Sequence, residues 1–175
     1  PSEIANQIPG VYINITGGEG HMTSIRQPTT TNAVYLYLED GIPTRSTGFF
    51  NHNALYEVNV PQSDSIEIIK GPGTSLYGSD AIGGVINVIT AAPPEESESS
   101  VNLEVGSYGW HRLLADTGNS DDDSGYIASL NITSSDGWRN ATEYDRVSGN
   151  LRFDSFLDNG ASLKTIFSVT DVAQQ

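Results

Sequence analysis

Apolar residues are spaced in two different ways along this chain, and the change comes shortly after residue 90. Before it they fall in short runs. Ile66–Ile69 and Val85–Ile89 predict buried strands, because β-branched side chains pack well on a pleated surface. Ala33–Glu39 places Val34, Leu36 and Leu38 on one face and Tyr35 and Tyr37 on the other, which predicts a central strand covered on both sides. Val11–Ile15 alternates like a strand, and Glu3–Ile8 predicts a short helix capped by Ser2 and stopped by Pro9 and Gly10. Thr16–Gln27, with Gly17, Gly18 and Gly20 among polar residues, predicts a flexible or sharply turned loop. Asp40 and Gly41 predict a turn, 44–53 a loop, and Asn53–Val58 a short helix before Pro61.

Beyond Ala91–Ser100 (AAPPEESESS), which has the composition of a linker or exposed hinge, the period becomes two. Val101, Leu103 and Val105 alternate with Asn102 and Glu104. Trp110–Thr117 forms a second segment. Tyr126, Ala128, Leu130 and Ile132 then alternate with Ile127, Ser129, Asn131 and Thr133. Val147, Gly149, Leu151 and Phe153 alternate with their neighbours, and so do Leu163, Thr165, Phe167 and Val169. Five such segments, joined at Ser107–Gly109, Gly118–Ser124, Asp136–Asp145 and Asp158–Gly160, are each near the length of a tilted membrane strand. A soluble meander with one wet face has the same period, so alternation by itself leaves both open.

Composition removes several classes. No apolar run approaches the roughly 18 residues of a membrane helix. The chain has no cysteine, hence no disulfide or cysteine-zinc scaffold, and its three histidines are widely spread. A net charge of −14 argues against nucleic acid, since phosphate contact needs a basic face. The acidity is concentrated late, with 8 acidic and 3 basic residues up to position 94 and 14 and 5 after it.

The connector between Ile69 and Val85 is dense in glycine, and it fails as a phosphate cradle. Gly73–Gly78 has the G-x-x-x-x-G spacing, but Ser79 and Asp80 stand where lysine and a hydroxyl belong, and Leu76 occupies the third glycine of a dinucleotide fingerprint. Asn119, Asp121 and Asp123 have the alternation of a calcium loop, but Leu130 replaces its closing glutamate. Glu39 with Asp40, and Asp121–Asp123, are adjacent carboxylates in turns, not a pair held across a cleft. These residues predict no enzyme, no cofactor and no resident metal.

The connector resembles the closing segment of the plug domain of TonB-dependent outer-membrane receptors. The matching residues are Lys70, Gly71 and Pro72, then Leu76, Tyr77 and Gly78, then Gly83, Gly84, Val85, Ile86 and Asn87. Upstream, Ile8–Ile13 (IPGVYI), Ile25 with Arg26, and Tyr37–Pro43 (YLEDGIP) continue the likeness; Gln27 stands where the family has glycine. The resemblance implies an α+β plug domain, a small mixed sheet with short helices, over residues 1–92. A linker at 93–99 and about five antiparallel strands of an incomplete outer-membrane β-barrel over 100–175 follow. The string DGWRN at 136–140 looks like a strand end entering an outer loop.

It further implies a truncated receptor that begins without the box gripped by TonB, and that imports a scarce nutrient, foremost a ferric siderophore or similar iron complex. The expected setting is the outer membrane of a Gram-negative bacterium, with TonB, lipid and the nutrient as partners and a monomer at full length. If the chain leaves the plug on the periplasmic side, strand parity puts 107–109 and 136–145 outside the cell. Arg26 and Lys70 match basic plug positions that pair with barrel acids in relatives. His21, Arg45, Phe49, Phe50 and His52 are candidate ligand contacts by chemistry alone: cations for an anionic chelate, aromatics for its organic shell. For Phe49 and Phe50 the favoured reading is a cover over the plug core, with a ligand platform as the alternative. An isolated piece with an open wall is expected to aggregate. The alternative is a soluble β-rich binding or adhesion module without transport activity.

Overall fold

In the computed structural model, residues 2–45, 48 and 54–174 are described, and the chain divides into two compact units at Thr90 and Ala91. The first unit opens with helix α1 (Ser2–Ala5), shorter than the sequence predicts. Ser2 lies inside it and its carbonyl accepts from Asn6, so Ser2 acts as a helical residue there. Asn6 then behaves like a strand residue. Its amide bonds both backbone groups of Ile13, at 3.1 and 2.6 Å, and fastens the helix to β1 (Val11–Gly17).

The predicted loop at 16–27 is a strand. β2 (Gly20–Ile25) pairs antiparallel with β1, closing through Gly18 at φ +55. His21, Thr23 and Ile25 all point inward and are buried. Two of those three are polar, which hid the alternation.

Strands β3 (Tyr35–Glu39), β4 (Ile42–Pro43), β5 (Ser63–Lys70) and β6 (Gly84–Thr90) form a mixed sheet in the order β4-β3-β6-β5. β3 runs parallel to β6, and β5 antiparallel to it. β3 is covered on both faces as its pattern predicts. Tyr35 and Tyr37 join Ile13, Ile25, Leu55, Ile86 and Val88 in the larger core, while Leu36 and Leu38 pack with Ala81 and Val85. Asp40 and Gly41 make a two-residue hairpin turn with φ of +48 and +81, the backbone form that follows strand twist and favours Asp-Gly. Ala54–Glu57 and Val60–Gln62 are 3-10 turns.

The second unit is a five-stranded antiparallel meander in sequence order: β7 (Glu98–Val105), β8 (His111–Ser120), β9 (Ser124–Ser135), β10 (Tyr144–Phe156) and β11 (Ser162–Gln174). β8 continues to Ser120, so the predicted turn at 118–124 tightens to Asp121–Asp123. The cross-strand register aligns the alternation of all five segments: Leu103 faces Leu113, Leu113 faces Ile132, Ile132 faces Val147 and Leu151 faces Phe167. No helix among the described residues is long and apolar enough to cross a membrane.

The residues Ala91–Pro94, predicted as slack, are packed. Pro93 and Pro94 lie against Gly125 and Gly118, and Ser120 Oγ donates to the carbonyl of Pro94 at 2.7 Å.

Candidate functional site

The knuckle between β5 and β6 is built by its glycines. Gly73 N–H donates to Ala81 O at 2.8 Å, and helix α2 (Thr74–Tyr77) and a 3-10 turn (Ser79–Ala81) fold inside that closure, two elements the sequence did not predict. Gly71 and Gly78 have φ of +121 and +85. Gly83 is tight for a different reason: a Cβ there would stand 2.4 Å from Gln27 Nε2 and 2.7 Å from Tyr35. Gln27 therefore has a place. Its amide donates to Tyr35 Oη at 2.9 Å, and the same oxygen accepts from Ile25 N–H at 2.9 Å.

Asn87, predicted as part of the knuckle motif, ties three elements. Its Oδ1 accepts from Gly41 N–H at 2.9 Å and its Nδ2 donates to Glu67 at 3.2 Å. Pro72 follows Gly71 out of β5, and Leu76, Tyr77 and Ile82 stand exposed on the knuckle, Leu76 at 80%.

Arg26 and Lys70 converge on Pro9–Gly10. Arg26 N–H donates to Gly10 O at 2.8 Å with φ +54, and its side chain lies over Gly10. Lys70 Nζ donates to Pro9 O at 3.3 Å. Among the described residues neither cation has a carboxylate partner.

The candidate ligand contacts do not form one surface. His21 is 1% exposed; its Nδ1 donates to Glu19 O at 2.9 Å and its Nε2 accepts from Leu55 N–H at 3.1 Å. The second bond requires a bare Nε2, which fixes the neutral tautomer and makes His21 a bridge between β2 and the 3-10 turn at Leu55. A nitrogen so engaged inside a core has no face to offer a ligand. Arg45 is bound to Glu57 through two parallel bonds, Nε to Oε2 at 2.9 Å and Nη2 to Oε1 at 2.7 Å, so its charge is balanced within the plug. Phe49, Phe50 and His52 lie outside the described residues. Beside these groups, burial raises the hydroxyl pKa of Tyr37 well above its ordinary value. Tyr37 Oη and Thr23 Oγ1 are neighbours, yet neither makes a hydrogen bond of ordinary geometry.

The meander carries a second set of residues whose burial sequence analysis did not foresee. Asn131, Thr133, Arg146, Ser148 and Arg152 share one face of the meander and are buried, Arg146 at 3%. On the opposite face Val101, Leu103, Val105, Phe167 and Val169 are exposed, Val105 at 86%. A soluble sheet hides its apolar face; this one shows it and hides the polar face. At one end Trp110 Nε1 donates to Tyr144 Oη at 3.0 Å and the Arg112 guanidinium lies 5.3 Å from the Trp110 ring. The 136–143 loop at the same end presents Trp138 with the Arg139 guanidinium 4.8 Å from its ring, and Thr142 Oγ1 bonds both backbone groups of Arg139. No group of three or more His, Asp and Glu able to hold a metal occurs among the described residues.

Residues 1–85 match the family model described as TonB-dependent Receptor Plug Domain. A vitamin B12 transporter, BtuB of Vibrio vulnificus, is 38% identical over 108 residues, 60% of this chain and 17% of that protein. Among solved structures, the pyoverdine receptor FpvA of Pseudomonas aeruginosa superposes with a TM-score of 0.78 at 19% identity, over 98% of this chain and 25% of that one. The ferric yersiniabactin uptake receptor FyuA of Yersinia pestis gives 0.72 at 20% identity, over 98% and 28%. The chain thus spans less than a fifth of the length of the curated relatives it matches.

Proposed function

We propose, because this chain belongs to the TonB-dependent outer-membrane receptors, that it supplies the plug and the opening wall sector of an importer for a bulky organic metal complex. One observation carries the reading. The meander pairs an exposed apolar face with a buried polar one, which suits a wall between lipid and a wet lumen and does not suit a soluble adhesion module. The apolar face meets outer-membrane lipid, and the knuckle belongs to the plug that gates the lumen. TonB supplies the work from the inner membrane. The protein's relatives are transporters, and no catalytic role is assigned to any residue.

The substrate class covers ferric siderophores and corrinoids. The resemblance favours a ferric siderophore, as do the pyoverdine and yersiniabactin receptors of similar fold. The vitamin B12 transporters share more sequence, which makes a corrinoid the second candidate to test. With 107–109 and 136–145 outside the cell, the Trp138–Arg139 pair is the aromatic and cationic surface offered there. Phe49, Phe50 and His52 remain proposed contacts from the plug, while the charge of Arg45 is already taken up by Glu57. Arg26 and Lys70 await acids from the rest of the wall.

The test is transport by the full-length gene product in outer membranes of cells lacking their own receptors. Labelled cyanocobalamin and a labelled ferric siderophore are offered with and without TonB. Uptake of either that vanishes without TonB is the expected result. A full-length product that stays soluble and never enters the outer membrane overturns the reading.

A further inference from the structure

The second unit begins with a segment that its composition marks as a tether and its contacts mark as a fixture. A Cβ on Gly118 would come within 2.6 Å of Pro94 Cδ, and one on Gly125 within 2.8 Å of Pro93 Cβ, so both strand positions are sockets that only glycine leaves open. Ser120 Oγ donates to Pro94 O at 2.7 Å. Arg152 Nη1 donates to Ala91 O at 3.2 Å while its Nε and Nη2 are held by Asp154 at 2.9 and 2.6 Å. The prolines suit this docking, because they bring no N–H that would need a partner and lose little chain freedom on being fixed. Contacts on Ala91–Pro94 thus come from three strands, β8, β9 and β10.

We propose that Ala91–Pro94 is a clamp on the wall and not a hinge, so that any rearrangement of the plug stops at Thr90; the proposal rests on the transport reading above. A slack ten-residue tether would let its end wander by about 17 Å. Worse, it would pass any pull directly to β7, whose partner among the described residues is β8. The clamp intercepts the pull before β7 and distributes it over three strands. Gly118, Gly125, Ser120 and Arg152 are the positioning residues of this device.

The experiment uses the full-length receptor in outer membranes, where the absence of cysteine from these 175 residues makes introduced thiols readable. Single variants Pro94→Cys and Glu96→Cys are labelled with a small maleimide, with the cells energised and then de-energised. The clamp predicts labelling at position 94 about ten-fold slower than at exposed position 96 in both states. Equal rates, or a rate at 94 that rises several-fold on energisation, overturn it. A second variant adds Ser120→Ala to Pro94→Cys and so removes the hydroxyl that donates to the Pro94 carbonyl while adding no bulk to either socket. Labelling at position 94 is expected to speed up several-fold toward the rate at position 96; an unchanged rate overturns the clamp. Labelling needs no substrate, so it judges the clamp even if the unsubstituted receptor imports neither cyanocobalamin nor the ferric siderophore, a result that would count against the transport reading alone.

Discussion

The carboxylate of Asp40 holds both polar groups of Thr90, accepting from its backbone N–H at 3.1 Å and from its hydroxyl across 50 residues of sequence. Asp40 sits at φ +48, and its own N–H donates to Val88 O at 2.9 Å, so one turn residue closes the last strand of the plug. Asp40→Asn keeps an acceptor and tolerates the left-handed backbone, whereas Asp40→Ala loses both bonds and strains the turn. The alanine variant is expected to cost about 2–4 kcal/mol of local stability and the asparagine variant about 1 kcal/mol. Hydrogen exchange at the Thr90 amide in the full receptor measures both.

His21 separates a structural from a ligand role. His21→Ala removes a buried ring and strands the Leu55 N–H, which predicts a loss of about 2–4 kcal/mol in plug stability. Substrate affinity of the folded fraction is expected to stay within about two-fold, because no ring nitrogen faces solvent. An affinity loss without a stability loss, read by calorimetry against denaturant unfolding, would restore His21 to the ligand site.

The two faces of the wall respond oppositely to charge. Leu130→Arg places a cation on the exposed apolar face and is expected to cost about 2–4 kcal/mol in lipid, seen as reduced outer-membrane assembly. Exposed Ser168→Arg, on the polar face of β11, is expected to assemble normally. Similar assembly yields for the two variants would contradict a lipid-facing surface.

The hairpin turn at Asp121–Asp123 carries a pH signature. Backbone N–H groups of Ser124 and Asp123 donate to Asp121 Oδ1 at 2.8 and 3.0 Å and hold its carboxyl below the ordinary carboxylate value. A depressed value in the folded state means a contribution fully present above the unfolded pKa and lost as pH falls through the folded one. Amide protection of Ser124 should therefore persist at about pH 4, near the ordinary carboxylate pKa, and fade only below it. Asp121→Ala should lower that protection throughout the range.

Much of the wall was legible because its faces differ in polarity at every second residue, and pairing preserves that difference across all five strands. The plug was legible where glycine is forced, as at Gly71 and Gly78, and where apolar runs are short, as in β3 and β6. It was obscure where polar side chains serve the core. His21 and Thr23 hid β2, and Asn6 imitated a strand. The clamp at Ala91–Pro94 was missed because composition reports what a segment cannot bury for itself, while its sockets, Gly118 and Gly125, lie in other strands. Arg45 was recognised as a cation, but its partner Glu57 stands 12 residues away in a turn.

The pairing of β10 with β11 runs from Tyr144 opposite Gln174 to Phe156 opposite Ser162 without a shift. Such a ladder makes length a matter of parity. Deleting one residue at an end of β10 inverts the rest of the strand against β11, turning Arg146, Ser148 and Arg152 to the exposed apolar face and Val147 and Phe153 to the buried polar one, whereas deleting two shortens the strand and leaves every side chain on its own face. Insertions and deletions in this wall should thus be tolerated in twos, and a single lost codon in β10 should do more damage than several substitutions along either face.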